Sequence, residues 1–262
     1  MHADLPGVRL WYTDTGGKGE AILLLHANTG TSANWQKQNE AFSAAGSRVI
    51  AFDRRGWGQS VANPDTGPQP GTVAEDLHGL VEHLGLERFH LVGVAGGGFI
   101  ALDYAAWQQQ RLLSLCIGAS TGNIQDPEEL AFRERILLPN FRSFPAHYRE
   151  LGASYLGENP EGVKEWIDIE HKAKQPDAPS MPNLRSPNTY AKISQITVRT
   201  LLLLPGADLI APPGLMRHWG RHLPNVQYAE VFDAGHSIAW ERPELFNRRI
   251  LDFLKLPGVS GR

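Results

Sequence analysis

Several things are scarce in this chain of 262 residues, and each scarcity removes a class of function. There is one cysteine, Cys116, so no disulfide closes within the chain. Its apolar setting, "LLSLCIGA", predicts a buried and inert thiol and a reducing, cytoplasmic location. No apolar run approaches the roughly 20 residues that a membrane-spanning helix needs. The opening "MHADLPGVRLW" lacks the charged-then-apolar order of a secretory leader. Charge is nearly balanced, at −3 net, which argues against a polyanion-binding surface, so neither nucleic acid nor a membrane is expected as a partner. Internal repeats and low-complexity tracts are missing too. The spacing of His218 and His222 puts two imidazoles on one helix face, but neither a companion glutamate nor a third ligand follows. The expectation is therefore no metal, and no cofactor motif is present.

What remains is an ordinary globular composition, 42% hydrophobic and 20% charged, arranged as alternating strand and helix patterns. Short apolar runs predict strands at 8–14, 21–27, 48–53, 88–94, 112–120, 199–207 and 227–233. Several are apolar on both faces, which calls for a mostly parallel sheet covered on both sides. Helical patterns occupy 32–46, 72–86, 96–110, 212–223 and 243–255, with Gly46 and Gly85 placed as stops. Between 122 and 192 the alternation fails, and short helical patterns broken by Pro and Gly predict a helical lid over a core built from 1–121 and 193–262.

The most informative lack is a single serine. "GVAGGG", residues 93–98, has the strand-to-helix shape of a Gly-x-Ser-x-Gly nucleophile elbow, with Ala95 at the central position. The nucleotide-binding glycine spacings are not met. A second stretch, "LLLHANTGTSANW" (23–35), fits a strand and loop that supply one donor of an oxyanion hole. The backbone N–H of Asn28 would then pair with that of Gly96. Asp208 follows the apolar run of "LLLLPGADLIAPP", where an aspartate either caps the next helix or orients a histidine. His236, in "VFDAGHSIAWERPELFN", stands between a strand and the final helix. The order elbow, Asp, His is the order of a hydrolase triad.

Together, "HANTGTSANW", "FDRRGWGQS", "GVAGGGFIALDYA", "PGADLIAPP" and "AGHSIAWERPELFNRRILDFL" resemble the α/β-hydrolase superfamily from end to end. Within it the chain is similar to lid-bearing small-molecule hydrolases: enol-lactonases, cofactor-free haloperoxidases and esterases, and meta-cleavage C–C hydrolases. The resemblance implies a mostly parallel eight-stranded sheet with helices on both faces and a helical lid. It makes position 95 the nucleophile, His236 the general base and Asp208 the residue that holds the imidazole tautomer. The substrate would be a small molecule: an ester, a lactone or a C–C bond next to a carbonyl. Arg54 and Arg55 are candidates for an anionic substrate group or for pinning their loop. Trp57, Phe132, Phe141, Phe144, Tyr148, Tyr155, Trp166 and Trp240 are candidates for pocket lining or for packing within the lid. A homodimer through the lid or an edge strand stays open.

Three accounts of Ala95 follow. The favoured one is an otherwise intact hydrolase made inactive by alanine in place of serine. The second is a cofactor-free lyase or isomerase that uses the His236–Asp208 dyad as general base, and the third is a ligand-binding receptor on a hydrolase scaffold. Ser32, Ser120 and Ser237 lie near strand ends, but none sits on a sharp elbow, so none is expected to substitute.

Overall fold

The computed structural model describes residues 1–255. The strands are β1 (His2–Leu5), β2 (Val8–Asp14), β3 (Ala21–Leu25), β4 (Arg48–Phe52), β5 (Val61–Ala62), β6 (Phe89–Val94), β7 (Leu112–Gly118), β8 (Thr200–Pro205) and β9 (Val226–Val231). The helices are α1 (Gln36–Ala44), α2 (Val73–His83), α3 (Gly96–Gln108), α4 (Pro127–Ile136), α5 (Ala146–Glu150), α6 (Ala153–Glu158), α7 (Pro160–Ala173), α8 (Tyr190–Ile193), α9 (Pro213–Gly220), α10 (Ile238–Glu241) and α11 (Pro243–Lys255).

Sheet order is β1-β2-β4-β3-β6-β7-β8-β9, with the two-residue β5 paired to β2. From β4 to β9 all pairings are parallel, while β1 and β2 form an antiparallel margin. The main path has the eight strands expected. Neither β1 nor β5 was predicted, because a hairpin strand of four residues and a bridge of two carry too little periodicity to register.

Side-chain alternation explains why both faces are apolar. Leu23 and Leu25 point into one core with Leu91, Ile100 and Leu115, beneath α2 and α3. Ile22 and Leu24 point into the other with Val92, Cys116 and Phe246, beneath α1 and α11. Cys116 is fully buried, and burial pushes its thiol up to about 12, in keeping with an inert side chain. Left-handed glycines sit where helices were expected to stop, Gly46 at φ 95° and Gly85 at φ 64°.

Between β7 and β8 the chain inserts α4 to α8. The two ends of this insertion are stitched into the core. Ile124 and Ile193 belong to it, and buried Asn188 donates to Phe99 O at 3.0 Å and Gly122 O at 2.9 Å. No helix among the described residues is long and apolar enough to cross a membrane.

Candidate active site

Parallel register brings the carboxyl ends of the strands level: Leu25 pairs with both Phe52 and Gly93, and Gly93 with Ile117. The segments that follow each strand therefore converge on one edge. Asn28 comes after β3, Arg54 after β4, Ala95 after β6, Asp208 after β8 and His236 after β9.

At the elbow, Ala95 holds φ 49° and ψ −116°, backbone space that a Cβ makes costly. Three bonds hold it there. Ala95 N donates to Gly118 O at 3.0 Å, and Ala95 O accepts from Gly98 N at 3.0 Å and from Ser120 Oγ at 2.8 Å. The tight turn also explains the glycines around it. A Cβ on Gly97 would stand 2.2 Å from Leu25 O, and one on Gly93 would stand 2.6 Å from Gly97 O. The Asn28 carboxamide lies directly over Gly96, where a Cβ would come within 2.2 Å of Oδ1. Gly96 opens α3, so its N–H is among the donors that a helix start leaves without an intrahelical acceptor.

Across from the elbow, His236 Nδ1 lies 2.7 Å from Asp208 Oδ2. Asp208 Oδ1 accepts from Ile210 N at 2.7 Å and Ala211 N at 3.0 Å, so it caps the turn and orients the imidazole at once. Both side chains are buried. Burial alone would lower the pKa of His236. The charges of Asp208 and Glu150, the hydrogen bond to Asp208 and the charge of Glu241 overcome it and raise the ring to about 9.

A pocket opens beside His236 and Val94, with Trp35, Trp166 and Trp240 among its walls. Of the aromatic candidates, Trp166 and Trp240 are placed on the wall of this pocket. Trp166 Nε1 also donates to Ser237 Oγ at 3.0 Å, and Trp240 Nε1 to Gly162 O at 3.2 Å, which satisfies both indoles at the pocket wall.

Two other aromatic candidates lie elsewhere. Tyr148 is 58% exposed, its ring tilted against His147 at 4.2 Å, because α5 is a single short turn whose outer face carries it to solvent. Trp57 is buried under the Asn28 loop, donates to Asn28 O at 2.7 Å and faces a separate groove shared with Arg55 and Pro176. It braces the loop and does not line the His236 pocket.

The two arginines divide their roles. Arg55 pins its loop through Asp76, at 2.7 Å, and the carbonyls of Gly7 and Pro68. Arg54 is fully buried over the Trp57 ring at 4.3 Å, and its Nη2 donates to Asn28 Oδ1 at 3.0 Å and Ala27 O at 3.3 Å. Among the described residues its Nε and Nη1 have no hydrogen-bond partner, and burial lowers its pKa to about 9. His26 is structural. Its Nε2 accepts from Arg54 N at 3.0 Å and its Nδ1 faces Ala27 O at 2.7 Å, while burial first, and the Arg54 charge second, hold it neutral.

Each of the alternative serines is held by a hydrogen bond. Ser120 is buried beneath Ala95, Ser237 accepts from Trp166, and Ser32 is tied at its N–H to Asp53 Oδ1 at 2.7 Å. His218 is bonded to buried Glu129 at 2.6 Å and His222 stacks on Tyr190 at 3.8 Å. Among the described residues no group of three ligands could hold a metal.

Two carboxyl groups near His236 escaped sequence reasoning. Glu241 is in the Trp-Glu pair after the histidine, and it accepts from Gly152 N and Gly235 N at 2.9 Å each. Glu150 lies in the insertion, where no periodic pattern marks it.

The family model described as "Alpha/beta hydrolase family" matches residues 22–249. A 2-hydroxy-6-oxononadienedioate/2-hydroxy-6-oxononatrienedioate hydrolase of Paraburkholderia phymatum is 28% identical over 264 residues, covering 94% of this chain and 91% of its own. The putative carbamate hydrolase RutD of Variovorax paradoxus is 30% identical over 254 residues, covering 92% and 95%. Among solved structures, a thermophilic esterase from Thermogutta terrifontis superposes with a TM-score of 0.81 at 26% identity, covering 97% of this chain and 98% of that one. With the strand order, the elbow and the Asp208–His236 pair in place, the chain belongs to the α/β-hydrolase family.

Proposed function

We propose that the site is that of a hydrolase of a small-molecule ester or lactone, or of a C–C bond next to a carbonyl, and that Ala95 disables it in this chain. The observation that carries the reading is the 2.7 Å Asp208–His236 contact beside an elbow that keeps its strained backbone without a reactive atom. A serine at position 95 would lose its proton to His236 Nε2 as its oxygen bonds to the substrate carbon. The N–H groups of Asn28 and Gly96 would receive the oxyanion, and the same proton would leave with the departing group. With a methyl there, no such bond forms, and substrate is held but not cleaved. Trp166 and Trp240 offer an apolar wall to an aromatic or alicyclic substrate body. The insertion acts as the lid that selects it.

Ala95→Ser tests this directly. Hydrolysis of aryl esters, lactones or ring-cleavage dienoates should appear, and a covalent serine probe should label the variant at the elbow and leave the parent untouched. A second reading, a cofactor-free lyase or isomerase with His236 and Asp208 as its acid–base dyad, draws on the dyad being whole without a serine. It takes first place if the parent transforms a substrate that Ala95→Ser handles more slowly.

A further inference from the structure

Asn28, whose N–H is one of the two donors assigned to an oxyanion, lies between two carbonyls that are both held by hydrogen bonds. Ala27 O accepts from His26 Nδ1 at 2.7 Å, from Gly30 N at 3.2 Å and from Arg54 Nη2 at 3.3 Å. Asn28 O accepts from Trp57 Nε1 at 2.7 Å. Donation by His26 needs the ring proton on Nδ1, and Arg54 secures that tautomer as well, because its backbone N–H donates to Nε2 at 3.0 Å. In a trans peptide the C=O and the N–H point in opposite directions, so holding Ala27 O fixes the aim of the Asn28 N–H. Among the described residues that N–H donates to nothing.

Arg54 also reaches the side chain of the same residue. Its Nη2 donates to Asn28 Oδ1 at 3.0 Å, and that oxygen is the atom a Cβ on Gly96 would meet at 2.2 Å. One guanidinium nitrogen therefore holds the Asn28 peptide through Ala27 O and, through the carboxamide, the surface that packs on Gly96. The placement is costly. The guanidinium is fully buried over the Trp57 ring, it makes no ion pair among the described residues, and its Nε and Nη1 have no hydrogen-bond partner there. A loop that only needed pinning could be pinned as Arg55 pins its own, through a carboxylate. Negative charge forming at the Asn28 N–H would give Arg54 the counter-charge it lacks.

We propose that Arg54 is a positioning residue for the oxyanion hole: its Nη2 sets the Asn28 peptide and carboxamide against Gly96 before substrate arrives, and its unpaired charge favours the anion that forms there. The kinetic part rests on the hydrolase reading above, whereas the orientation of the peptide does not.

Amide hydrogen exchange, followed by NMR on the present chain, reads the orientation. In Arg54→Met the Gly30 N–H, which shares Ala27 O with the guanidinium, should exchange about tenfold faster than in the parent, and unchanged exchange overturns the positioning. In the Ala95→Ser background Arg54→Met should lower kcat by about 10² with KM altered less than about threefold, because a donor used in the transition state is lost and ground-state binding is not. A kcat within about threefold of Ala95→Ser, or a loss carried by KM, overturns the kinetic half. Arg54→Lys, which keeps the charge, should recover about tenfold of the loss, and a lysine variant no better than methionine removes the charge from the account. Arg54→Gln carries the same expectations as Arg54→Met and stands in if the methionine variant does not fold. If Ala95→Ser shows no hydrolysis, the functional reading fails while exchange at Gly30 still decides whether Arg54 sets the peptide.

Discussion

Two turns at the same sheet edge were expected to cooperate, and they have kept different things. The Asp208–His236 side retains its chemistry: a 2.7 Å charge-assisted contact, an acid held by two backbone donors, and a ring lifted to about 9. The elbow retains only its geometry: a residue at φ 49°, glycines that admit a neighbouring strand, and a buried serine beneath it. Backbone strain of this kind costs on the order of 1–3 kcal/mol and persists because the surroundings over-determine it. The comparison shows that architecture and reactivity are separable, because the elbow is shaped by packing against β3 and β7 and not by the side chain it presents.

Restoring the missing atom should give the largest effect. Ala95→Ser is expected to raise hydrolysis by on the order of 10⁴–10⁶ over the present chain, measured as kcat on a responsive ester or lactone. In that background Asp208→Asn should remove about 10⁴ of the gain by leaving the imidazole in the wrong tautomer. A small effect of Asp208→Asn would break the pairing of the two turns.

Crowding the elbow comes next. Gly97→Ala drives a Cβ to 2.2 Å from Leu25 O, so a loss of about 3 kcal/mol in urea unfolding is expected. Full stability in that variant would mean that the turn is not packing-determined.

The intact side has its own signature in pH. The folded pKa of His236, about 9, lies above the ordinary 6.5, so its stabilisation is complete below about pH 6.5 and disappears as pH rises through 9. Glu241, pushed by burial from 4.5 to about 7, adds a loss between those values, because its charged form is disfavoured in the fold. The urea midpoint should therefore decline from pH 5 to 9, and His236→Asn should flatten the upper part. The smallest effect is expected from Ala95→Gly, which relieves the φ 49° strain and should stabilise by about 1 kcal/mol in the same assay.

The parallel sheet, the five helices α1, α2, α3, α9 and α11, the elbow and the order of Asp208 and His236 were all legible in the chain. Each is written in short-range pattern: apolar runs of strand length, helical periodicity, and glycines where a turn admits no Cβ. Roles that depend on what folds against a residue were not legible there. Trp57 and Tyr148 look alike as pocket candidates, yet one lies under the Asn28 loop and the other faces solvent, because only packing decides which face of a loop or a one-turn helix is covered. Arg54 and Arg55 are adjacent, and only the fold gives one an acid partner and leaves the other buried with two nitrogens unpaired. Glu150 is the extreme case. Nothing local distinguishes it from any other glutamate of the insertion, and its place beside the His236 loop, where its carbonyl accepts from Ser237 N, exists only once the insertion packs on the segment that follows β9.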